Sequence, residues 1–269
     1  MNSQRLPGTL SRAKAILAWN PETNEFRSGQ VDAGSGFEHW IMKFDGVSSP
    51  GDSEIATPMG YGKIEYAYHL MALKSGIEMM PSRLHQEGSR SHFMTKRFDR
   101  TARGGKLHMQ SLGALAHFDY RQPASYSYEQ AIQVIQRLGL PRKDAEQQVL
   151  RAFLNVVGRN CDDHVKNIAF LMNRRGEWSL SPAFDVTYAW NPAGEWTSRH
   201  QMSINGKREG FEREDLLMLA GKAGIKRARA SQMLDSVIEA VRGWPDFAGE
   251  AEVPDRRVNE IRGNQRTEL

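Results

Sequence analysis

Cysteine and long apolar runs are both scarce in this sequence, and each shortage excludes a class of protein. Cys161 is the single cysteine among 269 residues, so no disulfide can form within the chain and a cysteine-based metal site is excluded. A reducing cytoplasm fits this composition. No stretch approaches the ~18 consecutive apolar residues of a membrane-spanning helix, and the first residues lack the apolar core of a signal peptide. We therefore expect a cytoplasmic protein with no membrane contact.

Internal repeats and low-complexity segments are also lacking. The apolar fraction of 39% and the charged fraction of 25% are those of an ordinary globular protein. The net charge of +4 favours an anionic ligand such as a nucleotide or a nucleic acid. Direct nucleic-acid binding rests on this charge alone, because the sequence contains no helix-turn-helix, zinc-finger or RNA-binding motif.

The first third of the chain has the pattern of strands around one helix. Alternation in its second strand places Trp40 and Met42 on one face and Lys43 on the other. Residues 46–62 are rich in glycine, serine and proline and predict a mobile loop. The predicted strands are Lys14–Trp19, His39–Phe44 and Ser91–Phe98, and the predicted helix is Lys63–Ser75, with Gly76 as its C-terminal cap.

The rest of the chain has mainly helical periodicity. The predicted helices are Ser127–Leu138, Asp144–Val157, Glu214–Lys222 and Arg227–Arg242. The tail after Glu250 is polar and is predicted to fray. We therefore predict an α+β chain with two lobes, a small strand-rich lobe at residues 1–98 and a larger helical lobe at 99–269. A cleft between two such lobes is a natural ligand site.

The residues with the clearest chemistry lie between Asn160 and Asp185. Asp162 and Asn167 stand five positions apart on a loop that follows an apolar helix. A carboxylate there can accept a proton from a substrate hydroxyl, and an amide oxygen suits a hard cation such as Mg²⁺. A predicted hairpin, with strands at Ile168–Met172 and from Trp178, returns Asp185 to the same place. A base, an asparagine and a returning carboxylate are the parts of a kinase phosphoryl-transfer site.

A strand lysine and a helix glutamate complete this pattern. Lys43 can hold phosphate groups, and Glu65 on the following helix can pair with it, which is the order found in kinases. Each residue alone has a simpler interpretation. Lys43 is then a surface lysine, Glu65 a solvated helix residue, Asp162 a turn cap and Asn167 part of an Asx-turn. Only the combination, in this order, favours function.

Two neighbours of Asp162 have less specific patterns. His164 is predicted to orient the loop or to contact nucleotide rather than metal, because no second histidine stands at ligand spacing. Cys161 lacks the histidine and asparagine pattern of a thiol nucleophile and is predicted to be a small buried thiol.

The motif N-x-D-x-H-x-K-N at Asn160–Asn167, followed by SPAFD at Ser181–Asp185, resembles the HipA toxin kinases. Further similar segments occur in the same order, and together they extend over about residues 8–225. These segments are WIMKF at Trp40–Phe44, the helix and strand IEYAYHLMALKSGIEMMPSRL, KRFDR at Lys96–Arg100, and HQMSINGK at His200–Lys207.

The resemblance implies a two-lobed serine/threonine protein kinase that uses ATP and Mg²⁺. By position, Asp162 would be the catalytic base, Lys43 would bind phosphates, and Asn167 and Asp185 would hold Mg²⁺. The other implied nucleotide contacts are the phosphate-loop residues Thr9, Leu10, Ser11, Arg12, Ala13 and Lys14, the hinge residues Lys96, Arg97 and Phe98, and His164 and Phe184. A HipB-like DNA-binding antitoxin is the implied partner, with DNA contacted only through it, and an aminoacyl-tRNA synthetase is the implied substrate.

The chain departs from the family pattern in two places. Its phosphate loop, Gly8–Lys14, contains one glycine where the family loop is glycine-rich. The family also has an N-terminal subdomain before this loop, whereas this chain begins almost at the loop. We therefore expect a short form, which could be a naturally short or split toxin, a fragment or a decayed copy. A catalytically silent, kinase-like partner module of a toxin–antitoxin complex is therefore the alternative. Thr9 and Ser11 are candidate autophosphorylation sites, since a phosphate there would occupy the place of the ATP phosphates.

Overall fold

The structure is a computed structural model that describes residues 12–48, 59–101, 104–122 and 124–269. Within these ranges the chain forms eight strands and eight helices. The strands are β1 (Arg12–Trp19), β2 (Phe26–Ser28), β3 (Glu38–Ser48), β4 (Ser82–Glu87), β5 (Arg90–Lys96), β6 (His108–Ser111), β7 (Ala169–Met172) and β8 (Trp178–Leu180). The helices are α1 (Tyr61–Lys74), α2 (Leu112–Leu115), α3 (Tyr128–Arg137), α4 (Arg142–Val157), α5 (Arg213–Lys222), α6 (Arg227–Arg242), α7 (Trp244–Glu250) and α8 (Asp255–Asn264).

The first five strands form one antiparallel sheet in the order β2-β1-β3-β5-β4. The predicted alternation in β3 is confirmed, because Trp40 and Met42 are buried in a small core with Trp19 and Met94. Lys43 lies in the middle of β3, between Lys14 of β1 and Phe93 of β5. The sheet therefore holds a lysine on the face opposite its aromatic core.

Helix α1 connects the sheet to the helical part of the chain. Its apolar residues, among them Tyr68 and Met71, belong to the large core that α4, α6 and α7 also form. The Tyr68 hydroxyl donates to the carbonyl of Gly158 at 2.5 Å, and Lys63 forms an ion pair with Glu252 at 3.0 Å. Helix α1 is thus held by packing and by polar contacts to the part of the chain that contains the candidate catalytic residues.

The helical part is built around α4. This helix packs against α3, α5 and α6, and its apolar residues are almost completely buried. Ser127 caps α3 through a capping box with Gln130, as the sequence predicts. A second antiparallel sheet, β6-β7-β8, contains the predicted hairpin β7–β8. The short strand β6 is an addition to the predicted elements.

The prediction of a frayed tail after Glu250 is wrong. Helix α8 occupies Asp255–Asn264, and its Ile261 is completely buried. Beyond α8, the backbone N–H of Arg266 donates to the carbonyl of Val157 at 2.9 Å, at the end of α4. Few apolar residues occur in this tail, but those present enter the core while the charged ones remain outside, so composition alone was misleading.

The predicted loop at residues 46–62 is shorter than expected. Strand β3 continues to Ser48 and α1 already begins at Tyr61, and residues 49–58 lie outside the described part. The division into lobes at residues 1–98 and 99–269 stays a prediction. None of the helices in the described ranges has the length and apolar character needed to span a bilayer.

Gly62 is the position where α1 comes closest to the sheet. A Cβ atom added to Gly62 would lie 2.1 Å from the backbone oxygen of Ser91 in β5. We expect Gly62→Ala to lower the free energy of unfolding by about 2 kcal/mol, because two backbone segments must separate. Urea denaturation measures this loss.

The matched control is Gly221→Ala in α5, where an added Cβ would meet no atom within 4 Å. That change is expected to raise the free energy of unfolding by up to ~1 kcal/mol through helix propensity. Equal effects of the two substitutions would contradict a close contact between α1 and β5.

Candidate active site

The candidate catalytic loop begins where α4 ends, at Gly158. The backbone N–H of Cys161 donates to the carbonyl of Ala189 at 3.0 Å, which fixes the start of the loop. The side chain of Asn167 donates through Nδ2 to the carbonyl of Asp162 at 2.8 Å. This bond closes the loop around Asp162 and uses the amide nitrogen of Asn167, so that its oxygen Oδ1 is the atom left to act as a ligand.

Asp163, which the sequence analysis did not single out, is the buried anchor of this loop. Its carboxylate accepts hydrogen bonds from the Tyr128 hydroxyl at 2.7 Å and from the backbone N–H of Gln201 at 2.7 Å. His200 Nδ1 lies 2.8 Å from the same carboxylate, and both side chains are 1% exposed. Asp163 is therefore committed to structural contacts, whereas the side chain of Asp162 keeps 23% of its surface exposed.

The charge on Asp163 also controls His200. Burial alone would lower the pKa of His200, but the adjacent Asp163 carboxylate outweighs it and raises this pKa to about 10. The sequence feature that could have pointed to this pair was the HQMSINGK segment, whose histidine, His200, had no assigned role. Its role is to form a buried ion pair with the residue next to the candidate base.

Lys43, Glu65 and Asp185 meet although they are far apart in the sequence. Lys43 Nζ lies 2.5 Å from Glu65 Oε1, and the side chains of Lys43 and Glu65 are 9% and 2% exposed. Lys43 Nζ also contacts Asp185 Oδ1. The sheet, helix α1 and the segment after the hairpin are thus connected by one ammonium group. The expected pairing of Lys43 with Glu65 is present in the structure.

Asp185 has an unusual backbone conformation for a residue that is not glycine. Its φ is 54°, in the left-handed region, which costs free energy and occurs at functional sites more often than elsewhere. The preceding Ala183 donates its N–H to the carbonyl of Glu78 at 2.8 Å, and the ring of Phe184 packs on Phe98 with centroids 5.5 Å apart. The surrounding contacts hold the carboxylate of Asp185 toward Lys43.

Asp162 has the electrostatics of a proton acceptor. Burial is the largest cause that raises its pKa to about 6; the nearby His164 opposes this shift, and the carboxylates of Asp185 and Asp163 add to it. His164 Nε2 lies 3.7 Å from Asp162 Oδ1. A carboxylate with a pKa near neutrality is suited to general base catalysis.

The donor set at this site fits Mg²⁺ better than a transition metal. Asn167 and Asp185 supply oxygen atoms, and among the residues that the structure describes no group of three or more histidine, cysteine or acidic side chains could hold a metal alone. Mg²⁺ in nucleotide sites uses one or two protein oxygens and completes its shell with water and phosphate. The side-chain oxygens of Asn167 and Asp185 are consistent with that chemistry.

The predicted hinge residues Lys96 and Arg97 already have backbone partners in the sheet or directly next to it. The backbone N–H of Lys96 donates to the carbonyl of Pro81 and that of Arg97 to the carbonyl of His39, each at 2.9 Å. An adenine contact through this segment would therefore use its carbonyl oxygens or Phe98, and it stays a prediction. The Phe98 ring lies against Phe184, so both predicted residues are at the same place.

The phosphate loop is only partly described. Thr9, Leu10 and Ser11 lie outside the described residues, and for Arg12 only the backbone, at the start of β1, is described. Ala13 and Lys14 belong to β1, where Lys14 is exposed and directly opposite Lys43. The contacts proposed for this loop stay predictions.

A sheet joined through one helix to a helical part, with the candidate site between them, defines an α+β fold of the two-lobed protein-kinase type. The chain belongs to the HipA-like C-terminal domain family, which matches residues 6–244. The expected resemblance is therefore confirmed.

Two solved structures are similar to this chain, to different degrees. The chain is similar to HipA of Shewanella oneidensis MR-1, solved with HipB and its operator DNA, with a TM-score of 0.70 and 17% identity. That match covers 98% of this chain but 64% of the HipA chain, so this chain spans about two thirds of its length. The Helicobacter pylori proinflammatory kinase CtkA matches with a TM-score of 0.49 and 12% identity, covering 84% of this chain and 90% of that chain. No curated protein matches the sequence significantly.

The ion pair of His200 with Asp163 predicts how stability depends on pH. The folded-state pKa of His200, about 10, is above its ordinary value of 6.5, so the pair stabilises the fold fully below pH 6.5. This contribution is lost as the pH rises toward 10. Unfolding free energies of the wild type and of His200→Gln, measured across this range, are expected to converge at high pH. A constant difference between them would contradict a charged His200.

Proposed function

We propose that this protein is an ATP-dependent serine/threonine protein kinase of the HipA type. The observation that carries the proposal is the buried ammonium of Lys43, which contacts both Glu65 and Asp185 close to the candidate base Asp162. In kinases, this lysine–glutamate pair and the metal-binding aspartate must both be in place for phosphoryl transfer. The family membership supports the proposal independently.

Each residue of the site has one role in this mechanism. Lys43 would bind the phosphate oxygens of ATP, and Glu65 would keep its ammonium group in position. Asn167 and Asp185 would hold Mg²⁺, which, when bound, supplies positive charge that neutralises the phosphates. Asp162 would accept the proton of the substrate hydroxyl, and His164 beside it would lie near the nucleotide.

The remaining nucleotide contacts are proposed from the family pattern. The loop residues Thr9 to Lys14 would lie over the phosphates, and Lys96, Arg97, Phe98 and Phe184 would surround the adenine. The hydroxyls of Thr9 and Ser11 are proposed sites of autophosphorylation, since a phosphate there would compete for the same positive charge. Mass spectrometry after incubation with ATP tests this directly.

The partner is proposed from a structural neighbour and the substrate from the family resemblance. The Shewanella HipA structure contains HipB and operator DNA, which supports a HipB-like antitoxin as partner of this chain. An aminoacyl-tRNA synthetase is the proposed substrate, and the cytoplasm, where synthetases occur, is the proposed compartment. A panel of purified synthetases incubated with the protein and labelled ATP would identify the target.

The role of Asp162 is tested by Asp162→Asn, which keeps the shape of the side chain and removes its basicity. We expect phosphate transfer from labelled ATP, into the protein itself or into lysate, to fall by about 10²–10⁴-fold. Binding of Mg-ATP, measured by calorimetry, is expected to persist. The matched control is Asp246→Asn on the exposed face of α7, which should transfer phosphate like the wild type.

The same experiment separates this function from the alternative of a silent partner module. Transfer by the wild type and not by Asp162→Asn establishes a kinase that uses this base. Mg-ATP binding without any transfer favours the silent module. An absence of both binding and transfer overturns the proposal for this chain.

The pKa of Asp162 predicts the pH profile of the reaction. Its carboxylate must be ionised to accept a proton, and its pKa is raised to about 6. We therefore expect kcat/KM to rise with pH through about 6 and to level off above it. A profile that stays flat between pH 5 and 8 would rule out Asp162 as the base. The folding of the wild type is measured at each pH as the control.

A further inference from the structure

One face of α4 carries polar residues into the interior behind the catalytic loop. Gln148, Arg151 and Asn155 recur at helical spacing on this face. Gln148 is 1% exposed and Arg151 is 6% exposed, which is rare for such side chains unless they are hydrogen-bonded. None of them belongs to the set of residues that would contact ATP or Mg²⁺.

Among the described residues, the side chain of Arg151 makes one hydrogen bond, and it goes to the segment that leads to Asp185. Its Nη2 donates to the carbonyl of Ser181 at 2.6 Å. Its Nε and Nη1 are buried and have no partner among the described residues. Burial lowers the pKa of Arg151 to about 10, opposed by Glu78 and Asp144, so the guanidinium is still charged at neutral pH. A buried charge with unused donors is costly unless something else satisfies them.

A small cavity lies next to these unused donors. It has a volume of about 20 Å³ and is lined by Gln148, Arg151, Asn160, the loop residues around His164, and Ala183–Val186. The lining side chains include acceptors that also lack partners among the described residues, namely Gln148 Oε1 and Asn160 Oδ1. Unsatisfied donors and unsatisfied acceptors thus line one space.

The chemistry of this lining selects the ligand. A cation would be repelled by the guanidinium of Arg151. An anion would satisfy Arg151, but it would meet the carboxylates of Asp163 and Asp185, which also line the cavity. An anion would also leave the oxygens of Gln148 and Asn160 without a donor. Water both donates and accepts, and a cavity above roughly 10–15 Å³ can hold one molecule. A volume of about 20 Å³ is too small for phosphate and sufficient for a single water.

We propose that this cavity is an internal water site, and that Arg151, through this water and the carbonyl of Ser181, is a positioning residue for the metal-binding Asp185. The functional part of this inference rests on the proposed kinase activity. Arg151 would hold the start of the Ser181–Asp185 segment directly. The water would link Arg151 to Asn160, whose Nδ2 lies 3.4 Å from the carbonyl of Asp185.

This arrangement accounts for how Asp185 keeps its left-handed backbone. The residue has a φ of 54°, and a strained conformation persists only where its surroundings over-determine it. The long contact from Asn160 is weak by itself. A water held by Arg151 would fix the side chain of Asn160 from its other end, and Asn160 is also bonded to Asn155 of α4 at 3.0 Å.

The first test is a crystal structure of the full chain. We expect an ordered water within hydrogen-bonding distance of Arg151 Nε or Nη1 and of Gln148 Oε1 or Asn160 Oδ1. Well-ordered side chains around a site without water density, or density for an ion in its place, would overturn the proposal of a water site.

The second test is hydrogen exchange of the peptide that spans residues 181–188. Arg151→Met keeps the length of the side chain and removes its donors, and we expect exchange in this peptide to become about tenfold faster. The matched control is Arg142→Met, an exposed arginine on the same helix, which should leave exchange unchanged. Gln148→Met removes one acceptor and leaves the Arg151–Ser181 hydrogen bond, so we expect a smaller increase in the exchange rate of the same peptide. This variant replaces Arg151→Met in the test if Arg151→Met does not fold.

Exchange and crystallography do not require catalysis, so they are interpretable even if the wild type transfers no phosphate. If it does transfer, the KM for Mg²⁺ is expected to rise in Arg151→Met with little change in the KM for ATP. Folded variants that exchange residues 181–188 at the wild-type rate would overturn the positioning role. A fall in kcat alone, with unchanged exchange and unchanged KM for Mg²⁺, would overturn it as well.

Discussion

The buried ammonium of Lys43 is the interaction on which the candidate site depends. It connects three elements of the fold: strand β3, which contains Lys43, helix α1 through Glu65, and the segment after the hairpin through Asp185. Burying these charges is costly, and such a group is stabilising only when its partners are in place. Removing one partner of a buried pair typically costs about 3–5 kcal/mol, because the other charge remains without compensation. The geometry of the site is therefore coupled to the folding of both parts of the chain.

Helix α1, which contains Glu65, is not free to move relative to the rest of the site. Helix α1 shares a core with α4 and α7, and its Tyr68 hydroxyl bonds to Gly158, directly before the catalytic loop. The close approach at Gly62 fixes the other side of the helix against β5. A switch that works by rotating α1 would have to break a hydrophobic core.

Local patterns predicted the elements that carry the site. The alternation in β3, the apolar face of α4 and the hairpin after Asn167 are short-range features, and each is present in the structure. The kinase order of lysine, glutamate and aspartate had grouped Lys43, Glu65 and Asp185, and the structure brings these three together. The order of the motifs along the chain was sufficient to predict that these three side chains meet, because the fold determines where each motif lies.

Long-range contacts explain what the sequence could not predict. Asp163 differs from Asp162 in its partners Tyr128, His200 and the backbone N–H of Gln201, which are distant in sequence. No local rule therefore separates the two carboxylates. The N–H groups of Lys96 and Arg97 are satisfied by residues of other strands and loops. The polar tail was predicted to fray because its few apolar residues gave no periodic signal, although Ile261 enters the core.

The contact of the tail with α4 has a consequence for the order of events during synthesis. The N–H of Arg266 satisfies the carbonyl of Val157, at the junction between α4 and the catalytic loop. Residues near 266 leave the ribosome long after the loop that follows α4. A nascent chain therefore contains every side chain of the candidate site before the contact between Arg266 and Val157 can form. A partly synthesised chain would therefore carry the chemical groups of the site without their final geometry, and any activity would mature late in translation.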